Sequence, residues 1–288
     1  MHKLLLHNGR IVPTSERGIS PGQVGFLNGW GVFSTIRVVD GVLFAFERHW
    51  ARMSRDAELL HVPMPARDAF HADLLRLINA NDARNATLRT AVVRNRGGFF
   101  EGEGIESDFD VVAFTTGLNR WGESVALGVQ ADARHGSSPF AGTKVTSWVQ
   151  NLTFLENARA QGYDEVVLLD EHGRVSECTS ANIFAEVRTG EVYTPPLFSG
   201  CLPGVTRAIL LEEIRADQYE IREKHLSLDD LYAAPSVFIT STTRELLPVA
   251  AIAGRPLLRT GNAAWDLQAA FSSYMRAYAA KTSPVGTH

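Results

Sequence analysis

Gly142-Thr143-Lys144-Val145-Thr146-Ser147-Trp148-Val149-Gln150-Asn151-Leu152 is the stretch on which the reading of this chain turns. Thirty-three residues after Lys144 stands Glu177, in Ser176-Glu177-Cys178-Thr179-Ser180-Ala181-Asn182-Ile183-Phe184. Thr194-Pro195-Pro196-Leu197 follows, then Leu202-Pro203-Gly204-Val205-Thr206-Arg207. Alone, Lys144 reads as a surface lysine at a loop end, and Glu177 as a solvated carboxylate at a strand end. In this order they make a set: an amine, a carboxylate, a Ser/Thr-rich turn and a helix start. An amine attacks a carbonyl only when deprotonated, so a reactive lysine needs burial or a cationic neighbour. Phe140, Ala141, Val145 and Trp148 give Lys144 an uncharged setting. Pro203 and the apolar run 208–211 mark a helix start, where proline costs no hydrogen bond. The N–H groups of Val205 and Thr206 would then face an anion, helped by the helix dipole.

Pyridoxal 5′-phosphate (PLP) needs such a set: an amine for its aldehyde, an anion for its ring nitrogen and donors for its phosphate. The chain resembles the class IV aminotransferases, the fold-type IV group of PLP enzymes. That group includes branched-chain and D-amino-acid aminotransferases and aminodeoxychorismate lyases. The likeness runs from Asn8-Gly9-Arg10 to Thr240-Ser241-Thr242-Thr243-Arg244-Glu245. It implies an α/β (α+β) two-domain fold, with a small N-terminal α/β domain and a larger C-terminal pseudo-barrel domain, assembled as a homodimer. It also implies roles. Lys144 becomes the catalytic Schiff-base lysine and Glu177 the partner of the ring nitrogen. Ser180 joins the cofactor-binding set, through the Glu-x-x-x-x-Asn block that ends at Asn182. Leu202 packs on the ring. Val205, Thr206, Thr242 and Arg52 hold the phosphate, Arg52 through the His-x-x-Arg match of His49-Trp50-Ala51-Arg52. On residue type alone Arg52, between Arg48 and Arg55, reads equally as a solvated helix arginine.

Gly29-Trp30-Gly31-Val32-Phe33-Ser34-Thr35-Ile36-Arg37 matches the family's Gly-Asp-Gly-Val-Phe-Glu-Thr-Ile-Arg block, with Phe33 at the aromatic of the substrate pocket. Trp30 stands where the family has aspartate and Ser34 where it has glutamate. Trp30 reads either as a wall of the pocket mouth or as a packing or interface tryptophan. Asn28 occupies the place of a branched-chain-enzyme tyrosine, and the Arg-x-His element of D-amino-acid enzymes is missing from Arg94-Asn95-Arg96-Gly97-Gly98-Phe99-Phe100-Glu101. Arg89, Arg94 and Arg96 are candidates to receive a substrate carboxylate by bidentate pairing. Arg94 and Arg96 would share a face if the strand ending there continued.

The bulk properties narrow the field further. The 288 residues are 45% hydrophobic and carry a net charge of −4, which gives no hint of a nucleic-acid or membrane partner. No apolar run approaches a membrane span, and residues 1–6 are too short for a signal peptide, so the expected location is the cytosol. Cys178 and Cys201 form no disulfide framework, and no Cys–His metal site is expected.

Hydrophobic periodicity predicts strands at 4–6, 10–12, 31–40, 88–94 and 109–115, with helices at 46–60 and 67–80. The first helix puts Phe46, Trp50, Met53, Ala57 and Leu60 on one face; the second puts Phe70, Leu74, Leu77 and Ile78 inward. The expected division is a small domain over 1–118, a connection over 119–124, a large PLP-binding domain over 125–281 and a disordered tail over 282–288. Strands are expected at 125–131, 164–170, 174–177, 181–187 and 191–194, and a helix at 148–160.

The function so implied is transfer of an amino group from an amino acid to an α-keto acid. Elimination of pyruvate from aminodeoxychorismate is the alternative, since Glu177-Cys178 matches the Glu-Cys start of the lyases' block. PLP binding without catalysis is the third.

Overall fold

In a computed structural model of the protein, residues 1–16, 18, 23–98 and 105–282 are described. The expected tail therefore falls, apart from Thr282, outside the described residues, as do Phe99, Phe100 and Glu101. The chain divides into two compact units. The first comprises Met1–Leu118, Lys144–Trp148 and the chain from Met275 on; the second comprises Asn119–Thr143 and Val149–Tyr274.

The first unit is built on an antiparallel sheet. Its strands are β1 (Leu4–His7), β2 (Arg10–Pro13), β3 (Gly31–Val39), β4 (Val42–Leu43), β5 (Ala86–Arg94) and β6 (Phe109–Thr116), in the order β2-β1-β6-β5-β3-β4. Asn8 and Gly9, both at positive φ, turn the β1–β2 hairpin. A short helix, α1 (Val24–Asn28), precedes β3; α2 (Phe46–Leu59) and α3 (Arg67–Ala80) connect β4 to β5. The helix bounds match the periodicity to within a residue. Alternation along β3 puts Val32, Ser34, Ile36 and Val38 on one face and Phe33, Thr35 and Arg37 on the other. Val32, Ile36 and Val38 share a buried core with Met53 and Ala57 of α2 and Phe70, Leu74, Leu77 and Ile78 of α3. Burial of such apolar surface is the main term holding the unit together, at about 25 cal/mol per Å².

α2 departs from the simple amphipathic pattern. Beside its apolar stripe, His49, Arg52 and Asp56 are also buried. Their spacing of three and four residues makes a second stripe, and it is polar.

The second unit contains β7 (Val125–Arg134), α4 (Val149–Ala160), β8 (Glu165–Asp170), β9 (Val175–Cys178), β10 (Asn182–Arg188), β11 (Glu191–Thr194), α5 (Val205–Glu212), β12 (Glu220–Glu223), α6 (Leu228–Ala233), β13 (Ser236–Ser241), β14 (Glu245–Ile252) and β15 (Arg255–Pro256). The last helix, α7 (Ala263–Thr282), begins here and ends in the first unit. The strands follow the order β12-β11-β10-β13-β14-β7-β8-β9, with β15 beside β14. The sheet curls into a half-barrel, and in the tight turn from β9 to β10 Cys178 N–H donates to Ala181 O (2.7 Å). Val167, Val175, Ile183, Ile239 and Val249 fill its interior. The β8–β9 hairpin turns at Gly173, and Glu177 is the penultimate residue of β9, which runs one residue beyond the expected strand end.

Candidate active site

Within the first unit, Lys144 is held on the edge of β3. β4 pairs only with the far end of that strand, which leaves the edge at Gly31–Phe33 open. Val145 bridges Val32 there; Phe33 N–H donates to Lys144 O (3.1 Å) and Thr146 N–H to Gly31 O (2.9 Å). Thr146 Oγ1 donates to Gly29 O (2.7 Å). The glycines explain the fit. A Cβ on Gly29 would lie 2.8 Å from the Ser147 backbone, and one on Gly31 would lie 2.7 Å from Val92 O. Gly29 leaves no room for a side chain while the lysine segment is docked, and Gly31 none beside β5. From the helix side, Asp56 Oδ2 accepts the Lys144 N–H (3.0 Å).

The amine of Lys144 lies 4.5 Å from the Phe33 ring centre and 5.3 Å from that of Trp148, and the two rings meet edge to face at 5.6 Å. Arg89 stands opposite Thr35 across β3 and β5, on the face of Phe33, with its guanidinium 4.0 Å from the Phe33 ring centre. Burial pushes the Arg89 guanidinium below its ordinary value. Arg89 has no ion pair or hydrogen bond among the described residues.

On the helix-covered face of β3, Ser34 is fully buried and joins two residues of α2. Arg52 Nη2 donates to Ser34 Oγ (2.9 Å), and Ser34 Oγ lies 2.8 Å from His49 Nδ1. Burial drives the His49 imidazole well below its ordinary value, with the charges of Arg52 and Lys144 adding to it. His49 is therefore neutral near pH 7. Burial also lowers the Arg52 guanidinium to about 10, against which Asp56 acts to raise it. Arg52 stays cationic, and its Nε is buried without a hydrogen-bond partner among the described residues. A buried, charged donor with no acceptor is costly. It fits an anion supplied from outside the chain.

In the second unit Glu177 is clasped on both oxygens. Arg134 Nε donates to Oε1 (2.9 Å) and Leu202 N–H to Oε2 (3.0 Å). Arg134 Nη2 also donates to Asn151 Oδ1 (3.0 Å), and Asn151 Nδ2 to Thr179 O (3.0 Å). Asn182 Nδ2 donates to Leu202 O (2.8 Å), fixing the loop that leads to α5. Gly204, the residue before α5, has no side chain to cap the helix, and a Cβ on it would collide with Asn182. The N–H groups of Val205 and Thr206 thus have no acceptor among the described residues. Thr242 sits in the turn between β13 and β14, braced where Arg244 N–H donates to Ser241 Oγ (3.2 Å) and Trp121 Nε1 to Thr243 O (2.9 Å). Ser180 Oγ is engaged inward: it donates to the buried Glu165 (2.5 Å) and accepts from Arg244 Nη1 (2.9 Å). Its hydroxyl proton is already used, which leaves its backbone as the free donor.

The expected substrate-pocket residues fare differently. Trp30 packs against the core of the first unit; its Nε1 donates to Leu60 O (2.7 Å) and the Arg94 guanidinium stacks on it at 4.4 Å. Arg94 donates to His61 O (2.8 Å) and Arg96 O (2.7 Å), and Arg96 pairs with Asp108 (3.2 Å). β5 ends at Arg94, so the extended face that would have carried both arginines does not form. Gly97 and Gly98, at positive φ, take the chain out of the strand instead. Asn28 closes α1 and donates to Val24 O (2.9 Å). Asn28, Trp30, Leu60, Val145 and Ser147 line a shallow cavity of about 200 Å³. Cys178 is buried and its thiol pushed well up by burial, as a packing residue requires.

Sequence reasoning passed over Arg134, Asn151 and Asp56. The first two carry no local signal, because their partners are distant in sequence. Asp56 had one: with His49 and Arg52 it completes a helical stripe of polar residues.

The family model for class IV amino-transferases matches residues 31–252. The chain belongs to the class IV aminotransferases. It is 31% identical over 258 residues to a putative branched-chain-amino-acid aminotransferase of Methanocaldococcus jannaschii, covering 86% of this chain and 87% of that protein. It is 28% identical to the D-alanine aminotransferase of Bacillus licheniformis, covering 88% and 89%. The fold matches the T.th. branched-chain amino acid aminotransferase, solved as its complex with N-(5′-phosphopyridoxyl)-L-glutamate, with a TM-score of 0.84, 25% identity and 98% and 96% coverage. The protein is thus a PLP-dependent aminotransferase with the fold-type IV architecture. No helix among the described residues is long and apolar enough to cross a membrane.

Proposed function

We propose that this aminotransferase moves the amino group of an amino acid to an α-keto acid, with Lys144 as the residue that carries PLP. The observation that supports this most is the setting of Lys144. Its backbone is tied to β3 and to Asp56, and its amine lies against Phe33 and Trp148 in the same unit as the buried Arg52. Bound PLP supplies an electron-withdrawing ring that makes the substrate Cα proton acidic. Lys144 would hold the cofactor through its aldehyde, and its amine, once released, would take up and deliver the substrate Cα proton. Glu177 holds the proton of the ring nitrogen, and Arg134 and Leu202 N–H keep its carboxylate in place. Leu202 packs on the ring, and Ser180 takes part through its backbone. Arg52, Val205, Thr206 and Thr242 are the residues assigned to the phosphate. The orphaned Nε of Arg52 and the uncapped start of α5 suit that anion.

A charge-assisted hydrogen bond contributes about 1.5–3 kcal/mol, so Arg52→Ala is expected to weaken PLP binding about ten- to a hundredfold. Thr206→Ala costs less, because the backbone donors remain. Excess PLP should restore most of the activity of both. A PLP titration of activity checks this; wild-type affinity in Arg52→Ala would remove Arg52 from the phosphate site.

Arg89 is the residue we assign to a substrate carboxylate, on the strength of its half-buried guanidinium beside Phe33, which has no ion pair among the described residues. Amino transfer from a panel of L- and D-amino acids and (R)-amines, to pyruvate and to 2-oxoglutarate, tests the reading and fixes chirality. Arg89→Ala should raise KM about tenfold or more for acidic substrates while leaving PLP affinity unchanged. Release of pyruvate from aminodeoxychorismate, with no amino transfer to any keto acid, would make the protein a lyase instead.

The enzyme is also proposed to act as a homodimer. Phe26 and Leu27 on α1, and Val149 and Leu152 on α4, are apolar side chains each about half exposed or more. Light scattering at micromolar concentration should give twice the chain mass; an active monomer would contradict it. A cytosolic site of action fits the two buried free thiols. Cell fractionation that left the activity in the membrane pellet would oppose it.

A further inference from the structure

We propose that Asp56 is a positioning residue that sets the place of Lys144 relative to Arg52. Its carboxylate is 1% exposed, yet the cation it pairs with, Arg55, is 48% exposed and adjacent in sequence. Such a pair forms equally well at a surface, so it does not account for an ion being buried. The second carboxylate oxygen does: it accepts the Lys144 N–H at 3.0 Å. Asp56 lies one helical turn after Arg52, on the stripe that also carries His49. Lys144 O and Thr146 bond to β3 and to the turn before it. Asp56 reaches the same segment from α2. It joins the strand edge that bears the amine to the helix that bears the phosphate-binding cation.

The cofactor gives this tie a consequence. The aldehyde and the phosphate arm of PLP leave neighbouring ring carbons, so the amine and the cation that meet them must keep one spacing. A shift of about 1 Å at such a group is costly in rate. Ser34 adds to the case. The resemblance leads one to expect a carboxylate at that position, but Ser34 brings only a neutral hydroxyl to Arg52 and His49. Asp56 is then the carboxylate that offsets the Arg52 charge from within α2.

The inference rests on the reading of Lys144 and Arg52 as cofactor residues, and its test starts from the cofactor-free protein. Hydrogen exchange is measured on the full chain as wild type, Asp56→Ala and Asp56→Asn, followed by PLP titration of each. In Asp56→Ala the amides of residues 144–148 should exchange about tenfold faster, with the remainder of the first unit little changed. PLP affinity should fall by about the same factor. Asp56→Asn keeps an acceptor for Lys144 N–H, and both quantities should stay within about threefold of wild type. Unchanged exchange at 144–148 in Asp56→Ala overturns the proposal. So does an even rise across the whole chain, which would mark Asp56 as a general stabiliser, or an Asp56→Asn variant as loose as Asp56→Ala. Full turnover in Lys144→Ala would instead remove the reading of Lys144, a result independent of exchange in the cofactor-free protein.

Discussion

Lys144→Ala is expected to abolish steady-state amino transfer, to below about one part in ten thousand of wild type. Two functions go at once: the nucleophile that meets the aldehyde, and the base that moves the Cα proton, a step worth about 10²–10⁴ by itself. PLP should still bind, because Arg52 and the start of α5 remain, but without the yellow colour of the lysine-bound cofactor. The fold should be kept. The segment is tied through its backbone, by Phe33 N–H, Thr146 N–H and Asp56, none of which needs the side chain. Adding PLP in excess should not restore the rate, in contrast to Arg52→Ala. Equilibrium dialysis for PLP beside a 2-oxoglutarate-coupled assay makes the distinction. Turnover at the wild-type rate would show that another amine does the work.

Glu177→Gln comes next in size, with an expected loss of about a hundredfold or more. A carboxylate beside the ring nitrogen raises its pKa by roughly a few units, at about 1.4 kcal/mol each. The amide keeps the shape and can still accept from Leu202 N–H, so the loop to α5 should stay in place. What it lacks is the charge, both for the ring nitrogen and for Arg134, whose guanidinium is only 14% exposed. Leaving that cation without its anion predicts a lower melting midpoint as well. Bound PLP should be retained while turnover falls. A Glu177→Gln variant with the wild-type rate would mean that a different group protonates the ring.

Much of the first unit is legible because its signals are local. Phe70, Leu74, Leu77 and Ile78 recur at helical spacing and are buried as that spacing requires. Positive-φ pairs such as Asn8-Gly9 and Asp40-Gly41 end the strands where the turn chemistry says they must. Periodicity is less telling beyond residue 211, where it assigns neither β13 and β14 nor the twenty-residue α7. β13 carries only the short apolar run 237–239, which a strand and a buried helix share.

By itself, the order of Lys144, Glu177, the Ser/Thr turn and the helix start determined the family and the cofactor, because PLP makes three separate chemical demands and each leaves a residue type behind. Tertiary structure decided how those residues are held. Arg134 on Glu177, Ser34 on Arg52, and Asp56 on Lys144 pair side chains or backbone groups from different elements, between 18 and 88 residues apart. It also separated three arginines that look alike in sequence: Arg94 and Arg96 are spent on carbonyls, an aromatic ring and Asp108, while Arg89 has no ion pair or hydrogen bond among the described residues and lies beside Phe33. A charge's partner is set by the distance between atoms in the fold, and spacing along the chain carries that distance only within a turn, a strand pair or a single helix.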